Sequence, residues 1–106
     1  MAFLQIDQLI HKEIAPGFKA KLLHTDGITI AYIDIEKDSI LPEHSHIHEQ
    51  VTNILEGELE LIVDGESTIL KPGMIAMIPS NTKHSGRALT FCRVLDVFRP
   101  VREDYK

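Results

Sequence analysis

Leu59–Val63, Asp64-Gly65 and Glu66–Leu70 constrain the fold more than any other stretch of this chain. Two runs rich in branched apolar residues flank a dipeptide that accepts positive φ at both positions. A two-residue type I′ turn requires both, so the segment predicts a tight antiparallel hairpin. Asp26-Gly27 repeats the device between Lys19–Thr25 and Ile28–Ile35, where Ile28, Ile30 and Tyr32 alternate with Thr29, Ala31 and Ile33. Pro72-Gly73 and Pro79-Ser80-Asn81 bracket a further run, Met74–Ile78, and Arg93–Phe98 ends at Pro100. Short strands at regular spacing with turn signals between them predict an all-β sandwich or small barrel. Only Ile6–Ala15 carries a helical pattern, and it is short.

The length of 106 residues fits a single domain over residues 1–106, large enough to bury a core without disulfides. A formal net charge of −5 disfavours nucleic-acid backbones and anionic membranes as partners. The one cysteine, Cys92, lies in a strand-like run and reads as a small core residue. The N-terminus has neither a basic lead nor a long apolar stretch, and no segment approaches membrane-spanning length. A cytoplasmic location is the expectation.

Four of the six histidines fall at His44, His46, His48 and His84. Side chains two apart on a strand share a face, so His44 and His46 can aim two imidazoles at one point, with Gln50 in the same parity. Imidazole is the commonest protein ligand for zinc, nickel, copper and iron. His48 has the same parity as the pair, and Glu49 stands beside Gln50, so both remain alternative ligands. His11 and His24 read as surface residues without a role.

The spacing of these residues resembles the cupin superfamily. Its first motif has two histidines one residue apart, then an acidic or amide ligand, then a glycine, matched here by His44, His46, Gln50 and Gly57. Its second motif is matched by Gly73, Pro79 and His84, with Asn81 at a glycine position. Asn tolerates the left-handed conformation such a turn needs. An asparagine common after the last histidine is absent, and Ala88 stands there. The resemblance implies a double-stranded β-helix, or jelly-roll, barrel with one divalent metal ion in its mouth, held by His44, His46, Gln50 and His84. Zinc, nickel, manganese and iron all suit such donors. Three neutral imidazoles and an amide leave the ion its full charge, which favours an anionic ligand, and open coordination positions favour catalysis or ligand binding over a structural role.

The C-terminal segment is similar to that of small single-domain cupins related to the pectin-degradation protein KdgF, matched by Asp96, Phe98 and Arg102. That resemblance implies linearisation of 4,5-unsaturated monouronates. Arg102 would hold the carboxylate, Asp96 would move a proton, and Phe98 would form an apolar wall. From the residues alone, Phe98 reads as core, Asp96 as a turn acid and Arg102 as a surface cation. Another metal-dependent enzyme, a dioxygenase or isomerase, and a non-catalytic small-molecule binding module are the alternatives. The apolar Phe3, Leu4 and Ile6 imply a homodimer through the N-terminal edge.

Overall fold

The structure, a computed structural model, describes residues 2–106. More than half of the chain lies in ten strands: β1 Ile10–Ala15, β2 Phe18–His24, β3 Thr29–Ile35, β4 Ile40–His44, β5 Glu49–Glu56, β6 Leu59–Val63, β7 Glu66–Leu70, β8 Ile75–Ile78, β9 His84–Ala88 and β10 Cys92–Arg99. They form a six-stranded sheet in the order β1-β2-β3-β10-β5-β8 and a four-stranded sheet in the order β4-β9-β6-β7. All pairings are antiparallel. From β3 onward the chain passes back and forth between the sheets, which makes the sandwich a jelly roll. Among the described residues, no helix is long and apolar enough to cross a membrane.

Alternation decides which face of each strand is buried. In β3, Thr29, Ala31, Ile33 and Ile35 point inward, and in β10, Cys92, Val94, Asp96 and Phe98 do. Leu22, Ile35, Ile54 and Phe98 from one sheet meet Leu59, Leu61 and Leu70 from the other. Each such side chain contributes about 1.5–3 kcal/mol on burial. Cys92 is fully buried, its Sγ donating to the Glu58 carbonyl at 3.2 Å. Burial pushes the thiol above its ordinary range.

The β6–β7 hairpin is as expected, with Val63 opposite Glu66 and positive φ at Asp64 (48°) and Gly65 (81°). At Asp26-Gly27 the strands pair as expected, but neither residue has positive φ. There the Thr25 hydroxyl accepts the amides of Gly27 and Ile28 (3.2 and 3.0 Å) and holds the turn without the left-handed pair. The helical expectation for Ile6–Ala15 is overturned. Ile6–Gln8 is one 3-10 turn, and β1 is an edge strand paired to β2. Ile6, Ile10 and Ile14 mimic helical spacing, but pairing to a sheet edge outweighs the propensity of so short a run. Pro16-Gly17, the turn joining β1 to β2, was the overlooked signal.

Candidate metal centre

The β4 strand ends on His44, and β9 begins on His84, its direct cross-strand partner in the four-stranded sheet. His46 is on neither strand. It lies in the connector that carries the chain over to β5 in the six-stranded sheet. The shared strand parity expected for His44 and His46 is therefore incorrect, because the strand stops between them. Their convergence comes from the crossover at the open end of the sandwich. The second-motif turn fixes that connector. The Asn81 amide donates to the His46 carbonyl at 2.7 Å, and the Ser80 hydroxyl donates to the Ile47 carbonyl. Asn81 adopts φ 62°, the left-handed conformation anticipated where it replaces glycine.

One ring nitrogen from each of His44, His46 and His84 lies within 4.8 Å of the others. A backbone carbonyl accepts from each Nδ1: Pro42 from His44 (2.8 Å), His48 from His46 (3.0 Å) and Thr82 from His84 (2.9 Å). That fixes the tautomer and leaves three Nε2 lone pairs free to converge. His84 Nε2 is buried with no hydrogen-bond partner among the described residues. Burial, reinforced by the Arg102 charge, pushes His46 down to about 4. Burial also lowers His84, with His44 and Arg102 adding to it. Neutral, convergent imidazoles with committed Nδ1 atoms suit a divalent metal.

Gln50, 8% exposed, extends from the start of β5 toward this cluster. Its amide nitrogen donates to Thr52 Oγ1 (3.0 Å) and Asp96 Oδ2 (3.4 Å). Its Oε1 therefore faces His46 Nε2, 3.1 Å away. With Nδ1 donating to the His48 carbonyl, Nε2 and Oε1 are placed to share a bound cation. Neither alternative is drawn in. His48 reaches the Val101 carbonyl with Nε2 at 3.3 Å, and Glu49 is exposed, 3.8 Å from Arg99.

The cluster opens into a narrow cavity of about 60 Å³ between the sheets, lined among others by His44, Gln50, His84, Asp96, Phe98 and Arg102. Phe98 is opposite Gln50, and Asp96 opposite Thr52, in the β10–β5 register. Burial pushes the Asp96 carboxyl up to about 6, against the opposing pull of Thr52, Arg102 and Gln50. Its Oδ1 is buried and unpartnered among the described residues. Phe98 is a core side chain that also walls the cavity, its ring edge-on to His46 at 5.9 Å. Arg102 is buried, not a surface cation. Its guanidinium lies over Phe98 (4.7 Å) and Tyr105 (3.9 Å) and pairs with Asp104.

Tyr105, Asp104 and Thr52 are the site residues missed in the sequence. An aromatic residue three positions after Arg102 was the available signal for Tyr105. His24 is not a free surface residue either. Its Nδ1 sits 2.8 Å from Thr29 Oγ1, the hydroxyl that also accepts the Arg102 amide at 2.9 Å. His11 is exposed, as expected.

Residues 31–98 match the cupin domain family. The chain is 31% identical over 102 residues to the pectin degradation protein KdgF of Dickeya dadantii (strain 3937), covering 93% of each. The solved structure of KdgF from Halomonas sp. superposes with a TM-score of 0.90 at 26% identity, covering 100% of this chain and 99% of that one. An RmlC-like cupin from Shewanella frigidimarina NCIMB 400 gives a TM-score of 0.92 at 28% identity, covering 100% and 96%.

Proposed function

The chain belongs to the cupin family, and from that premise we propose that it is a metal-dependent enzyme that opens the ring of a 4,5-unsaturated monouronate to its linear keto form. The observation that carries the proposal is a cluster of three convergent imidazole nitrogens, two of them from His44 and His84, which line one cavity with a buried carboxyl and a buried guanidinium. The similarity to a pectin degradation protein supports the substrate class.

His44, His46 and His84, with Gln50 through Oε1, would hold one divalent ion. When bound, the ion supplies Lewis acidity toward ligand oxygens. Arg102 takes the substrate carboxylate in a charge-assisted bidentate pair. Asp96 performs the proton transfers. Ring opening removes the proton of the anomeric hydroxyl, breaks the bond from C1 to the ring oxygen and leaves an aldehyde at C1 and an enolate at C4–C5. Return of that proton to C4 of the enolate completes the ketone at C5, so the overall change is an isomerisation. A carboxyl raised to about 6 is mostly ionised at pH 7, yet it is basic enough to accept a proton and return it. Phe98 keeps the wall beside Asp96 apolar, which maintains the raised value.

The test is loss of ultraviolet absorbance from the conjugated double bond. The metal-loaded wild type should speed its decay well above the spontaneous rate. Arg102→Ala should mainly raise KM, and Asp96→Asn should mainly lower kcat, on the order of a hundredfold. Both variants should retain the metal. Decay at the spontaneous rate with the metal-loaded wild type would remove the uronate assignment.

A further inference from the structure

The Nε–Nη2 edge of the Arg102 fork is already filled. Its Nε donates to Asp104 Oδ1 at 3.0 Å and its Nη2 to Oδ2 at 2.8 Å, the two-point geometry of a guanidinium reading a carboxylate. The partners differ in surroundings, since the Arg102 side chain is 8% exposed and that of Asp104 is 59% exposed. Arg102 has other contacts that hold it in place. It is stacked between Phe98 and Tyr105, and its backbone amide is anchored to the fully buried Thr29 hydroxyl.

The cavity of about 60 Å³ is far below the roughly 300 Å³ at which small-molecule sites begin. A sugar acid enters only if one side of the cavity moves. Arg102 and Tyr105 line that cavity, and both belong to the short C-terminal segment, whose last turn is the 3-10 turn Glu103–Tyr105. Asp104, exposed like Glu103 beside it, ties that turn to the guanidinium.

We propose that Asp104 is a specificity-determining residue, its carboxylate occupying the fork of Arg102 until the carboxylate of an incoming ligand displaces it one for one. The inference rests on the function proposed above, in which Arg102 receives the ligand carboxylate. A sugar acid exchanges one bidentate pair for another as Asp104 moves into water. A neutral sugar of the same shape would leave a buried guanidinium without its partner, so it is rejected. The site thereby selects an acid by an occupant that only an acid can replace.

Calorimetric titration of the full chain with galacturonate and with galactose tests this. Asp104→Asn and Asp104→Ser should each tighten galacturonate binding about fivefold, the scale of a half-exposed ion pair. Galactose should stay undetectable in the wild type. Both substitutions are at an exposed position, so the fold should be retained. Weaker galacturonate binding in both variants would overturn the proposal, because Asp104 would then be positioning Arg102 and not competing for it. Arg102→Ala should abolish galacturonate binding. Unchanged affinity in that variant would instead overturn the assignment of Arg102 as the carboxylate receptor.

Discussion

Asp96→Asn should make the protein more stable and less active, and the gain should depend on pH in a defined way. The carboxyl of Asp96 is raised from 3.8 to about 6, chiefly by burial. Its charged form is therefore disfavoured in the folded state. Below pH 4 the group is protonated in both folded and unfolded chains and carries no penalty. Between about 4 and 6 the unfolded chain ionises first, so wild-type stability falls as pH rises. Above about 6 the full penalty applies. That rise from 3.8 to about 6 corresponds to about 3 kcal/mol. Asparagine presents an uncharged isostere whose oxygen still accepts from Gln50, and it carries no charge to desolvate. Urea titrations of chelator-stripped wild type and Asp96→Asn at pH 4, 5, 6 and 7.5 provide the assay. The midpoints should nearly coincide at pH 4 and separate by roughly 1–2 M at pH 7.5. Equal midpoints at pH 7.5, or a wild type that gains on the variant as pH rises, would refute a carboxylate held in a disfavoured state.

Three further outcomes are expected. His46→Ala and His84→Ala should weaken metal retention at least tenfold in dialysis against a chelator, while His48→Ala should retain it; metal analysis of the dialysed protein decides. Gly57→Ala should destabilise by about 1–3 kcal/mol, because Gly57 has φ 87° and a methyl group would collide with the Phe91 carbonyl oxygen and the Thr90 hydroxyl; thermal melts measure it. Sedimentation at micromolar concentration should give a homodimer, since β1 is a sheet edge and Phe3, in the segment before it, is 88% exposed; a monomer alone would count against this.

Strand positions were legible where turn chemistry and alternation agreed, as at Asp64-Gly65 and along β3 and β10. Ile6–Ala15 was misread because isoleucines four apart fit a helix locally, while the decisive pairing with β2 is a tertiary fact. His44, His46 and His84 were identifiable by residue type and spacing, yet the reason for their convergence was not. Strand parity proposed a single strand, and the structure uses the end of one strand, a crossover and the start of another. Asp96, read from the residues alone as a turn acid, shares the inner face of β10 with Phe98, two positions on, as the period-two alternation of that strand requires. Arg102 was ambiguous, because nothing local tells a buried cation from an exposed one. Its burial depends on Phe98 and Tyr105 closing around it.

The hydrogen bonds from Ser80 and Asn81 to the carbonyls of Ile47 and His46 join two loops far apart in the chain. The two histidine motifs are thus one mechanical part made in two pieces. Lengthening either loop would move the imidazole tied to the other, His46 in the connector or His84 at the start of β9. Grafting such a centre onto another sandwich would therefore require both loops in matched lengths, and a library that varies one loop while holding its counterpart constant would mostly sample broken sites.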